Sequence, residues 1–197
     1  MATFNSTILG SDTGDTLIGT SADQLILGGT AGDSIGSKYS LSCLVGSGGN
    51  DTFFANSGVL GVGVGATLTG NEGSDSFDFG TYGLTSVQLY GLLLRSTISA
   101  SRIEANSGND TINITAPVIS SYIHGGQGSD LISVTGTVTD STVNGGSGAD
   151  SLVFASAVQN STLSGGPGDQ ALEVQGDPQH HLAAFPQPAR LGRIDRG

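Results

Sequence analysis

The chain has 197 residues, of which 33 are glycine and only 12% are charged. That is room for one domain or one elongated module, with a composition unlike an ordinary globular enzyme and no three-residue glycine period of the collagen kind. Six basic residues against seventeen acidic ones give a formal charge of -11, which argues against a basic groove for nucleic acid and makes metal cations the better partners.

The opening MATFNSTILGSDTG has no basic stretch leading into an apolar core, so no standard secretory signal is expected there. Beyond it the first coils announce themselves through Asp15, Asp33 and Asp51, spaced by eighteen. Asp75 follows, and then Asp110, Asp130 and Asp150 with Gln170 at the next place, each twenty apart. Counting back seven from these anchors gives Ile8, Ile26, Leu44, Leu68, Ile103, Ile123, Val143 and Leu163; counting forward two gives Leu17, Ile35, Phe53, Phe77, Ile112, Ile132, Leu152 and Leu172. All are apolar. Five back lies glycine except at Ala105, and serine recurs nine back. Each repeat therefore reads strand, glycine turn, strand, with apolar residues alternating around the turn.

The long interval from Asp75 to Asp110 accommodates one degenerate copy anchored on Ser96, with Leu89, Gly91 and Ile98 in the expected phase. A second, weaker turn lies in TAPVIS, TGTVTD and ASAVQN, where Val118, Val138 and Val158 recur eight after the anchor. Cys43 reads as a small apolar filler. LYGLLL, the densest apolar run, is far too short to cross a membrane. The final GDPQHHLAAFPQPARLGRIDRG carries three of the five prolines and three of the six basic residues, so it cannot continue the ladder. The expected organisation is a β-solenoid over 1–174 and a tail, arm or cap, over 175–197.

A period of about twenty residues means a repeat architecture. One coil cannot bury its own apolar positions; a neighbour about 4.8 Å away pairs its backbone and covers them. The expected fold is all-β: a right-handed parallel β-solenoid, a β-roll or flattened β-helix of about nine coils. Stacked turns place the aspartates in a column, where two carboxylates about 4.8 Å apart repel by roughly 3 to 4 kcal/mol at an effective dielectric of about 20. A cation would reverse that sign.

GGQGSDLIS, GGSGADSLV, GSGGNDTFF and GGTAGDSI resemble the glycine-rich nonapeptide of RTX, or haemolysin-type, calcium-binding repeats. The resemblance implies Ca²⁺ clamped between successive turns by carboxylates and glycine carbonyls, since hard Ca²⁺ takes six to eight oxygens. It implies ligands at Asp110, Asp130 and Asp150 with Gly125, Gly128, Gly145 and Gly148. Asp51, Asp75, Asp33 and Asp15 would form weaker sites. Here only alternate turns fit the pattern, so one row of ions at most is expected, interrupted at Ser96 and Gln170. The alternative is that the aspartates cap turn amides without metal.

Other chemistry is thin. His124 falls outside the inward column, His180 and His181 lie in the tail, and no nucleophile, base and orienter come together; no catalytic role is expected, a polysaccharide-acting enzyme or its accessory module being the least favoured reading. The outward positions of the early coils are apolar, at Leu9, Leu25, Leu27, Cys43, Val45, Ile18 and Phe54, which marks an interface. The reading is a non-catalytic structural or surface protein, exported without an N-terminal signal, self-associating (a trimer being one arrangement) or docking through its N-terminal coils, with no membrane insertion. The alternative is a virion component such as a capsid decoration protein or short spike.

Overall fold

The computed structural model describes residues 4–37, 42–55, 66–79, 88–89, 92–93, 97–168 and 170–175. Among them every regular element is a strand, none is a helix, and the strands stack as a β-solenoid.

The strand before each glycine turn enters one parallel sheet: β1 (Ser6–Leu9), β3 (Gln24–Gly29), β5 (Cys43–Gly48), β7 (Thr67–Glu72), β12 (Arg102–Ser107), β15 (Tyr122–Gln127), β18 (Thr142–Ser147) and β21 (Thr162–Ser164). The strand after the turn enters a second, in the same order: β2 (Thr16–Gly19), β4 (Ser34–Ser37), β6 (Thr52–Ala55), β8 (Ser76–Phe79), β13 (Thr111–Ile114), β16 (Leu131–Val134), β19 (Ser151–Phe154) and β22 (Ala171–Val174). Register follows the sequence phase. Ile103 stands over Ile123, Ile123 over Val143 and Val143 over Leu163; Ile112, Ile132, Leu152 and Leu172 form the facing column.

Both columns line the core. Ile26, Ile123, Val143, Ile35, Phe53, Phe77, Ile112, Ile132 and Leu152 are wholly buried, each worth about 1.5–3 kcal/mol on leaving water. Phe53 and Phe77 stack face to face, their ring centroids 4.5 Å apart. This is the vertical nesting that once-per-coil recurrence of apolar residues predicts.

Two expectations are corrected. The sheets are eight strands deep, because β12 pairs directly with β7 and β13 with β8. Among the described residues no strand lies between them, and Ser96, the expected anchor of a further coil, lies outside those residues. Leu89 instead pairs antiparallel with Leu92, in the short pair β9 (Gln88–Leu89) and β10 (Leu92–Leu93). Ile98 belongs to a third column, twenty residues before Val118 and paired with it.

That column is the second correction. The weaker turns are the strands β11 (Ile98–Ser99), β14 (Val118–Ile119), β17 (Val138–Thr139) and β20 (Val158–Gln159), a parallel sheet of their own. A twenty-residue coil therefore has three sides rather than two. An eighteen-residue coil lacks the chain for this: only residues 20–23 separate β2 from β3. The three-sided coils turn a corner at Ala100, Ser120, Asp140 and Asn160, all at φ near +50°, so one left-handed residue per coil sets the bend.

Beside this corner runs a serine ladder. The Ser101 N–H donates to Ser121 Oγ (3.2 Å), Ser121 to Ser141 Oγ (3.1 Å) and Ser141 to Ser161 Oγ (3.0 Å). Each hydroxyl in turn donates to the carbonyl two residues earlier, at 2.8–2.9 Å. The buried polar groups of this column are thus paired with one another.

The tail 176–197, with His180 and His181, lies outside the described residues.

Candidate functional site: the aspartate column

An aspartate at the anchor shares its parity with the apolar residues at +2 and +4, so alternation turns it inward. The structure places it there. Asp33, Asp51, Asp75, Asp110, Asp130 and Asp150 are only 1–3% exposed, in the interior corner where the two large sheets meet. Asp15, in the first coil, is only half-buried.

Each carboxylate spans one step of the stack. The Asp15 N–H donates to Asp33 Oδ1 (2.8 Å), Asp33 to Asp51 (2.7 Å), Asp51 to Asp75 (2.9 Å), Asp75 to Asp110 (2.6 Å), Asp110 to Asp130 and Asp130 to Asp150 (both 2.9 Å). The amide-capping role expected as the alternative to calcium is therefore met by Oδ1, across coils rather than within one turn.

Oδ2 is another matter. In all six buried aspartates it has no hydrogen-bond partner among the described residues. An unpaired charged oxygen in a dry interior costs several kcal/mol unless it is neutralised. Burial, the largest influence, pushes Asp51 up to about 6, Asp75 up to about 7 and Asp130 up to about 6, against the lowering effect of the amide each accepts. Asp110 and Asp150 are raised for the same reason. Asp15 goes the other way, because the Ser11 N–H (2.6 Å) and hydroxyl (2.8 Å) both donate to its Oδ2.

The two ends of the column explain what its middle lacks. At the last coil Gln170 stands where an aspartate would. Its Oε1 accepts the Asp150 N–H at 3.2 Å, and its Nε2 donates to the Gly148 carbonyl at 2.8 Å. An amide has the second donor that a carboxylate wants.

At five of the six buried aspartates a glycine stands five residues back and the carboxylate packs against its bare face, while Ala105 holds that place before Asp110. A Cβ on Gly46 would lie 1.9 Å from Asp51 Oδ2, on Gly70 2.1 Å from Asp75 Oδ2, and on Gly125 2.4 Å from Asp130 Oδ2. The same points lie 2.4–2.9 Å from the carbonyl oxygen of the next coil, as at Gly125 and Gly145. Gly128 and Gly148 serve differently: at φ +128° and +137° they close the turn in a conformation side chains rarely adopt.

These oxygens fit a hard cation in kind: unpartnered carboxylate oxygens in a row, with glycine carbonyls alongside. In number the side chains are few, for no cluster of three or more acidic, histidine or cysteine side chains converges among the described residues. Main-chain carbonyls would have to complete any coordination shell.

The N-terminal outer faces are apolar columns as expected, with Leu9, Leu27 and Val45 in register and Leu25 over Cys43. Leu9, in the edge strand, is 68% exposed; Ile18, Leu25, Leu27, Val45 and Phe54 are half-buried. Phe54 lies across the bare face of Gly36.

No family model matches the chain, and no curated protein or solved structure matches it. The likeness to RTX repeats rests on the turn motif.

Proposed function

We propose that this chain is a non-catalytic structural protein whose aspartate column is neutralised by a row of divalent cations, Ca²⁺ foremost. The observation that carries this reading is the set of six buried Oδ2 atoms without partners. Amide capping occupies Oδ1 alone, and the formal charge of -11 favours cation uptake. Asp51, Asp75, Asp110, Asp130 and Asp150 would hold the ions, with carbonyls of Gly125 and Gly145 and their equivalents. The bound ions would supply charge compensation and rigidity, not reactivity.

Sites of this modest side-chain count match weak extracellular modules, with Kd of about 0.1–1 mM. Outside the cell such sites fill; in the cytosol they do not. A second reading, docking on a larger assembly such as a virion, is favoured by the exposed Leu9 at the end of an apolar outer column. Light scattering tests it: a monomer that Leu9→Ser leaves unchanged removes that reading.

Scanning calorimetry at pH 8 tests the cation. At 100 times Kd one site adds about 2.7 kcal/mol, which raises Tm by roughly 5–10 °C over the same protein in EDTA. Identical melting in Ca²⁺, Mg²⁺ and EDTA, with no heat of binding, would leave the column with amide capping alone.

A further inference from the structure

The glycine turns leave a second mark, on the outside of the rod. In coils 102–170 the position four before the anchor is glycine three times running, at Gly126, Gly146 and Gly166. All three have φ between +83° and +123°, and their carbonyls and Cα atoms pack so closely that a Cβ on Gly146 or Gly166 would meet the preceding glycine's carbonyl at 1.8–2.0 Å. No side chain covers the backbone along this line, which forms a floor buried at Gly126 and Gly146 and half-buried at Gly166. On one side stand His124 and Asn144, on the other Gln127, Ser147 and Pro167. The result is a groove of about 450 Å³ running along the rod axis, within the size range of ligand sites. At its upstream end Asn106 stands in the glycine's place, lines the groove and donates to Asn71 Oδ1 at 3.5 Å.

We propose that this groove binds a short neutral oligosaccharide. The lining contains no Asp, Glu, Lys or Arg, and His124 is its one ionisable group. Apart from Pro167 its side chains are amides, hydroxyls and an imidazole, groups that donate and accept as a chain of sugar hydroxyls requires. Asn144 Oδ1 already accepts the Gly146 N–H and the Ser107 hydroxyl already donates to the Asn71 carbonyl, which leaves Gln127, Ser147 and the Asn144 amide nitrogen for a ligand. An extended peptide is served poorly. It would lie across the strands, whose amides and carbonyls are already spent between coils, leaving no edge for strand addition. Beside the groove, Tyr122 stacks with His124 at 6.0 Å and carries Arg102 at 4.4 Å from its ring centroid. These contacts hold the His124 ring in place at the groove wall. The four coils span roughly 14 Å at about 4.8 Å per step, the length of a short oligosaccharide. Among the described residues no Asp or Glu lines the groove, so the proposal is one of binding, not cleavage.

The test is titration of the full chain with neutral hexaoses of β-1,4-glucose, α-1,4-glucose and β-1,4-N-acetylglucosamine, followed by calorimetry and amide chemical shifts. Running it in both Ca²⁺ and EDTA separates this proposal from the cation reading, because the groove lies outside the aspartate column. Saturable millimolar or tighter binding by one of them is expected, with shifts centred on Gln127, Asn144 and Ser147. Ser147→Trp fills the groove from an exposed position and should weaken binding at least about tenfold. Tm should be unchanged. Thr111→Trp, exposed on the second sheet, should bind as wild type, and Gln127→Ala with Asn144→Ala gives an independent loss. Absence of binding by all three sugars overturns the proposal. So does binding that Ser147→Trp leaves intact, or selective binding of an acidic glycan or a peptide at the same residues.

Discussion

The serine and aspartate columns use the same device, a side-chain oxygen on one coil accepting the main-chain N–H of the coil before it. They differ in what is left over. Ser121, Ser141 and Ser161 each turn their one proton onto a nearby carbonyl, so the ladder closes on itself. The aspartates have no proton to turn, and Oδ2 is stranded in six successive coils. One column is self-sufficient; the other depends on what the solvent supplies, a proton or a cation.

This contrast can be broken in graded ways. The largest effect is expected from pH in the absence of metal. Buried Asp51, Asp75 and Asp130 sit near 6–7 when folded, against about 3.9 unfolded. The folded state then binds more protons than the unfolded one between about pH 4 and pH 7, so stability is full below the unfolded value and falls as pH rises through the window. One group raised by about two units is worth about 2.7 kcal/mol. In EDTA, Tm should drop by roughly 5–10 °C or more between pH 4.5 and pH 8. Calcium should flatten the curve. A profile that rises with pH would contradict the stranded-oxygen account.

Next in size is Gly145→Ala, which would set a Cβ 2.6 Å from Asp150 Oδ2 and 2.7 Å from the Gly165 carbonyl. A loss of about 2–3 kcal/mol in urea unfolding is expected. Ser141→Ala should cost about 1–3 kcal/mol by orphaning the Ser121 N–H. Because no ionisation is involved, that cost should be equal at pH 4.5 and pH 8.

The smallest effect has the opposite sign. Asp130→Asn keeps the acceptor for Asp110 and gains the donor that Gln170 already uses in the last coil. In EDTA at pH 8 it should stabilise by about 1 kcal/mol, with the gain vanishing near pH 4.5 and the calcium response reduced. Equal destabilisation at both pH values would show that the carboxylate is specifically required.

The core was legible because its signal is redundant. Sixteen apolar positions in two fixed phases admit one stacking, and the register of Ile123 on Val143 follows from it. The burial of the aspartates was not read from the sequence, which placed them only in a column of stacked turns. Yet Asp130, Ile132 and Val134 share one phase, and a carboxylate of that parity faces inside. The ninth coil was misread because Leu89 and Gly91 fit the phase by accident. Ile98, exactly one period before Val118, belongs instead to the third sheet. Repeated Ser101, Ser121 and Ser141 showed where that coil resumes. The groove is harder to read, since glycines required by the turn interior also shape its exterior, and the sequence does not distinguish the two uses.

Every amide hydrogen shared along the aspartate file points the same way, from Asp15 toward Gln170. The rod therefore has a polarity that its near-identical windings conceal. Among the described residues the file begins at an acceptor steadied by Ser11 and ends at a buried neutral carboxamide. A cylinder of interchangeable ends could be flipped without consequence, and this one could not.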